Sequence, residues 1–190
     1  MQTEAALVAA LKQRDPAALA TLFEQYSDRI YRLAVSVLHD EVQADGVVQN
    51  TFLTLIERVQ DFEGRASIGT WLYRVAHNEC LMRLRQAKPI VDLVEENDDA
   101  PAMPTHLVDW QTVPDTILSS SEAMTEMERA ISRLKPDLRT VFVLRDIEEL
   151  STAQTAEILG VSENVVKVRL HRARLALREQ LAAYFEERAR

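Results

Sequence analysis

From Pro89 to Thr125 the chain carries eight acidic side chains, four prolines and no lysine or arginine, with little hydrophobic periodicity. Such a segment cannot bury enough apolar surface to repay the entropy of ordering it. It therefore divides the chain into two modules, residues 1–88 and 122–190, joined by a flexible acidic linker over 89–121. The charge follows the same division. Residues 89–125 sum to −8, whereas 1–88 sum to −1 and 126–190 to +1, so the whole-chain charge of −8 belongs to the middle. An acidic total does not exclude a nucleic-acid partner, because local clustering governs that affinity.

Both flanks read as helical. Gly and Pro are scarce, with four and six in 190 residues, and the abundant Ala, Leu, Glu and Arg favour helix over strand. Asp15-Pro16 is a helix start, with a capping carboxylate and Pro in the first turn. Leu19, Leu22, Phe23, Tyr26, Ile30, Leu33 and Val37 then recur at spacings of three and four, which predicts an amphipathic helix. A second helix carries Val47, Val48, Thr51, Phe52, Leu55, Ile56 and Val59, and a third runs from about Thr70 to Gln86 after the break Phe62–Gly69. Pro136 opens a further helix whose apolar face is Val141, Phe142, Leu144 and Ile147. The expected fold is all-α: two small helical domains.

No stretch approaches the roughly 18 apolar residues of a membrane span, and Met1-Gln2-Thr3-Glu4 lacks the blocks of a secretory signal. Cys80 is the single cysteine, which fits a reducing compartment, so the expectation is a cytoplasmic protein without membrane insertion. His77 and Cys80 lie three apart on a helix, but no second pair has metal-site spacing. There is no phosphate-cradling Gly loop and no nucleophile elbow. Neither a cofactor nor an enzymatic activity is expected.

The strongest local signal lies near the C-terminus. Ser151 can cap one short helix, Gly160 can supply the left-handed residue that ends it, and Ser162 can cap the next. Ala156 is small enough for two helices to cross closely there. This is the pattern of a helix-turn-helix, whose second helix enters the major groove. In that second helix Val166, Leu170, Ala173, Leu177 and Leu181 form an apolar stripe. Lys167, His171, Arg174 and Arg178 run beside it, with Arg172 at the outer edge, and residues 164–178 hold five Lys or Arg and no acid. The plainer alternative is a solvated basic face. The acid-free run favours a DNA-reading helix.

The helix from Thr70 also has two faces. Leu72, Tyr73, Ala76, Cys80 and Leu84 fall together as core, and Trp71, Arg74, Asn78 and Arg85 fall opposite. A ring, guanidiniums and an amide in one stripe can stack on and hydrogen-bond to unpaired bases. The preceding loop, with Arg65 and Ser67, would rim a pocket for an extruded base. Alternatively, Trp71 packs on a neighbouring helix with the arginines in ion pairs.

The segments Gln49-Asn50-Thr51-Phe52, Phe62 to Ser67 and Thr70 to Asn78 resemble sigma region 2, and Leu150 to Arg174 resembles sigma region 4. The chain is thus similar to extracytoplasmic-function sigma factors of bacterial RNA polymerase. The resemblance implies binding to core RNA polymerase, at its clamp coiled coil and flap, and delivery of that enzyme to promoter DNA. It implies −35 contacts from Lys167, Val168, Arg169, His171, Arg172 and Arg174, and −10 melting and reading by Arg65, Ser67, Trp71, Arg74 and Asn78. It also implies polymerase contacts from Asp45, Val48, Gln49, Asn50 and Phe52, and an anti-sigma partner that holds the protein inactive. The polymerase would supply all chemistry.

Three departures stand out. Gly46 and Asn50 occupy positions that usually carry carboxylates in the family, which implies weaker polymerase binding or charge restored by phosphorylation of Thr51 or Thr54. The ending Arg83 to Lys88 is less basic than expected, and Val168 replaces a small polar residue, favouring contact with a thymine methyl. Two other functions compete: a helix-turn-helix regulator that forms no holoenzyme, and a degenerate sigma-like decoy for an anti-sigma factor.

Overall fold

The computed structural model describes residues 4–87 and 121–188, and the predicted linker up to residue 120 lies outside them. Among the described residues the chain forms eight α-helices and no strand. They are α1 (Glu4–Lys12), α2 (Pro16–Leu38), α3 (Glu41–Arg58), α4 (Ile68–Ala87), α5 (Ser121–Ser132), α6 (Pro136–Phe142), α7 (Thr152–Leu159) and α8 (Glu163–Arg188).

Local chemistry sets most of these boundaries. Asp15 caps α2 as expected, accepting a hydrogen bond from the Ala17 amide at 2.9 Å, with Pro16 in the first turn. The helix ends at His39, whose left-handed φ of 55° turns the chain, and Asp40 at once caps α3 through the Gln43 amide. This corner lets two long helices lie side by side with minimal loop. Their inner faces join α4 in one core of Leu22, Ile30, Leu33, Val47, Leu55 and Leu72, all essentially without solvent exposure. A second core gathers Leu134, Val141, Val166, Leu170, Ala173 and Leu177, contributed chiefly by α6 and α8.

One predicted face departs from the sequence reading. After α6 the chain widens into a π-turn over Val143–Ile147, and the Glu148 amide reaches back to the Val143 carbonyl at 2.9 Å. The extra residue rotates the register. Ile147, expected on the apolar face, is left 40% exposed, while Glu148 turns inward and is only 2% exposed. Glu149 then takes a left-handed φ of 57° to leave the turn.

The two halves are not held apart. Helix α7 packs on α4 and α6 on α2, and Leu144 and Ile158 complete the core of the first half. The buried Arg139 of α6 donates from Nε to the Ser36 carbonyl of α2, and from Nη1 to the Ser132 and Leu134 carbonyls.

Candidate nucleic-acid interface

The helix-turn-helix is built by the residues that signalled it. Ser151 and Gln154 form a reciprocal capping box: Ser151 Oγ accepts from the Gln154 amide, and Gln154 Oε1 accepts from the Ser151 amide. Gly160 ends α7 with φ of 67°, a conformation costly for any residue with a Cβ. Ser162 Oγ then accepts from the Val165 amide at the start of α8. Val166, Leu170, Ala173, Leu177 and Leu181 are all buried, so the predicted inner stripe faces inward.

Along the outer side Lys167 and Arg172 are exposed, while Val168, Arg169, His171 and Arg174 are partly covered. Arg174 grips Asp146 with two bonds, 2.9 Å from Nε and 2.7 Å from Nη2. Arg169 lies 3.4 Å from Asp137. A phosphate reaching either guanidinium must displace a carboxylate. Of the set, Lys167 and Arg172 are the members with exposed side chains.

On α4 the predicted faces also separate. Leu72, Tyr73, Ala76 and Cys80 are buried, Trp71 and Arg74 are partly exposed, and Asn78 is exposed. Ser67 is tied into the helix start: its Oγ accepts from the Thr70 amide at 3.0 Å and lies 2.9 Å from Thr70 Oγ1. Residues 61–66 of the preceding loop, with Trp71 and Arg74, border a cleft of about 370 Å³. Arg65 points outward and pairs with Glu63 at 2.5 Å. Trp71 meets Phe62 edge to face, with centroids 6.1 Å apart. It packs against Phe62 of the preceding loop and also lines the cleft. The far wall is unexpected. Glu157 of α7 lines the cleft and lies 3.4 Å from Arg74.

The residues expected to touch polymerase divide. Asp45, Gln49 and Asn50 are exposed, but Val48 and Phe52 are buried in the core. The outward stripe of α3 is Val42, Asp45, Gln49, Leu53 and Ile56, whose spacing of three and four places them on one face. Val42, Leu53 and Ile56 are exposed, as is Phe23 of α2, whose ring lies 4.9 Å from Phe52. Periodicity alone predicts Phe23 and Ile56 in the core, and the packing leaves them outside it. Exposed apolar side chains on one face are the kind of surface that protein partners cover.

Gly46 and Asn50 acquire a physical account. A Cβ on Gly46 would lie 2.6 Å from Arg83 Nη1, and Arg83 uses that space to reach the Gln43 carbonyl at 3.1 Å. Asn50 Nδ2 and Arg83 Nε both donate to Glu79 Oε1 at 2.8 Å. A carboxylate thus stands near this face after all, supplied by α4.

The family model for Sigma-70 region 2 matches residues 22–90, and that for Sigma-70 region 4 matches residues 124–177. Over 173 residues the chain is 32% identical to the ECF RNA polymerase sigma factor SigW of Bacillus subtilis, covering 90% of this chain and 92% of SigW. The chain belongs to the ECF RNA polymerase sigma factors. SigM of Mycobacterium tuberculosis is 33% identical over 177 residues, covering 93% of this chain and 83% of SigM. The fold matches CnrH, solved in complex with the cytosolic domain of CnrY, with TM-score 0.64 at 23% identity over 93% of this chain and 96% of CnrH. It also matches RpoE of Bartonella quintana, solved with the anti-sigma factor NepR, with TM-score 0.64 at 21% identity over 86% of this chain and 96% of RpoE. As a sigma factor the protein binds core RNA polymerase and promoter DNA and directs transcription initiation.

Two further features of the sigma factor follow from burial. Thr51 is wholly buried and donates to the Val47 carbonyl at 2.7 Å, so a phosphate there would have to unfold the helix pair; Thr54 donates to the Asn50 carbonyl. Burial pushes the Cys80 thiol up to about 12, which leaves it unreactive. Among the described residues no three His, Cys, Asp or Glu side chains gather as a metal site, and no helix is long and apolar enough to cross a membrane.

His77 also lies on α4, and burial lowers its pKa to about 4. Its folded-state value is thus below the unfolded value of about 6.5. The contribution of neutral His77 is complete above pH 6.5 and is lost as pH falls toward 4, where the unfolded chain binds the extra proton. Urea denaturation at pH 7 and pH 5 should show lower stability at pH 5, and His77→Gln should flatten that dependence. An unchanged dependence in the variant would refute the assignment.

Proposed function

We propose that residues 1–88 act as the module that grips polymerase and opens the −10 element, and that residues 122–190 act as the −35 module. Residues 89–121 act as the acidic strap between them. The observation that carries this reading is the stripe of Trp71, Arg74 and Asn78 beside a cleft at the start of α4. An aromatic face and a guanidinium bordering a cleft of that size suit an unstacked base. Arg65 supplies charge for the adjacent phosphates, and Ser67 fixes the loop. In the second module Lys167, Val168, His171 and Arg172 face the groove, with Arg169 and Arg174 as charges held in reserve by Asp137 and Asp146.

The polymerase surface is the α2–α3 face. Asp45, Gln49 and Asn50 supply its polar contacts, Leu53, Ile56 and Phe23 its apolar ones, and Val48 and Phe52 support it from beneath. The protein works in the cytoplasm and catalyses nothing itself, since the polymerase carries the reaction. An anti-sigma factor is its natural inhibitor, as NepR is named for the similar RpoE.

Run-off transcription tests this directly. Core polymerase plus this protein should give discrete promoter-specific transcripts, and neither component alone should do so. A regulator that forms no holoenzyme, or a decoy, would yield none.

A further inference from the structure

The π-turn that exposes Ile147 carries Glu148 inward, to a place where its side-chain partners all belong to the other half of the chain. That side chain has no solvent exposure. Oε2 accepts from Arg29 Nε at 2.6 Å and from the Tyr73 hydroxyl at 2.8 Å. Oε1 accepts from Arg32 Nε at 2.9 Å and lies 2.8 Å from Arg32 Nη2. Arg29 Nη2 also donates to the Glu148 carbonyl at 2.8 Å. Around this centre Gln154 Nε2 reaches Thr70 Oγ1 at 3.3 Å, and Glu157 meets Arg74 at 3.4 Å. One buried carboxylate from the second half is thus satisfied by α2 and α4 of the first.

We infer that Glu148 is an interdomain latch that holds this sigma factor in a closed resting state, with Glu157 screening the α4 cleft from DNA. The inference rests on the proposed reading of that cleft as the −10 surface. By their names the two promoter elements lie about 25 base pairs apart, about 85 Å of B-DNA. Helices α4 and α7 touch in the closed arrangement, so it cannot engage both elements at once. The 33 residues from 88 to 120 can reach at most about 110 Å when fully extended. That is enough to span an open form.

A carboxylate and two guanidiniums suit a reversible latch. Taking a paired charge out of water roughly balances its attraction, whereas a buried charge left unpaired is strongly unfavourable. The network therefore selects one docking geometry without making it permanent. On opening, Glu148, Arg29 and Arg32 all regain water.

The test uses the full chain as wild type, Glu148→Gln, Arg32→Ala and the double variant. Small-angle scattering reads the radius of gyration. Fluorescence anisotropy reads binding to a short fluorescein-labelled single-stranded DNA of mixed sequence, without polymerase. If the wild type is about 90% closed, each single variant should bind about tenfold more tightly, because apparent affinity scales with the competent fraction. Each should also expand. The double variant should gain little more than either single one, since both break the same interaction. The two substitutions change net charge in opposite directions, so a shared gain cannot be simple electrostatics. Arg32 is 47% exposed in its side chain, and its variant decides the matter if Glu148→Gln fails to fold by circular dichroism. An already extended wild type, or variants with unchanged dimensions, would overturn the latch. Expansion without tighter DNA binding would keep the latch and reject the −10 reading of the cleft.

Discussion

Trp71→Ala is expected to reduce promoter-specific run-off transcription roughly 5- to 150-fold, while Trp71→Tyr retains most of it. The magnitude follows from stacking, since removing one aromatic platform costs about 1–3 kcal/mol per base. The ring is well placed to stack, because it lines the cleft beside Arg74 and its edge-to-face contact with Phe62 fixes its orientation. Tyrosine keeps both a π-face and the Phe62 contact. Alanine loses both, so its melting temperature must be measured alongside. A transcription loss equal in Ala and Tyr variants would mean that Trp71 does not stack on DNA. Permanganate footprinting of the −10 region separates melting from recruitment: the alanine variant should still bind polymerase but leave thymines unreactive.

Leu177→Ala should destabilise the second module by about 2–5 kcal/mol, the range for a leucine removed from a packed core. Leu177 is wholly buried in the cluster that joins α8 to α5 and α6, so little can collapse into the void. A small domain has only about 5–15 kcal/mol in total. A comparison lies two residues away. Leu175 is 40% exposed, and Leu175→Ala should cost well under half as much. Urea denaturation followed by circular dichroism reads both as midpoint shifts at constant slope. Function should follow stability: a loosened α8 cannot present Lys167 and Arg172 in a fixed register, so use of promoters that depend on the −35 element should fail at lower temperature than in the wild type. Similar midpoints for the two variants would mean that α8 is not seated on this core.

The outward face of α3, proposed to meet polymerase, shows how far periodicity reaches. Val42, Asp45, Gln49, Leu53 and Ile56 have a helical spacing that any sequence reading can extract. Yet the pattern alone puts Ile56 in the core, and the family resemblance puts Val48 and Phe52 on the surface. The stripe next to them on α3 is also apolar, and a helix with apolar residues on two faces does not announce which one its neighbours cover. Only the packing of α2 and α4 on α3 resolves it. The same holds for Gly46, whose missing side chain has no meaning until Arg83 arrives from α4.

The sequence by itself determined what short-range physics controls. Asp15, Ser151, Gly160 and Ser162 fix helix ends through bonds to residues at most five positions away, and the stripe from Val166 to Leu181 fixes which side of α8 is buried. Those local rules suffice for an all-helical chain with a helix-turn-helix at its end. Tertiary structure alone decided the pairing of Arg174 with Asp146, the inward turn of Glu148 and the presence of Glu157 at the cleft. Each depends on groups 28 to 119 positions away in sequence. A charge carries no local mark of its partner, because its energy depends on which distant atoms replace the water it loses.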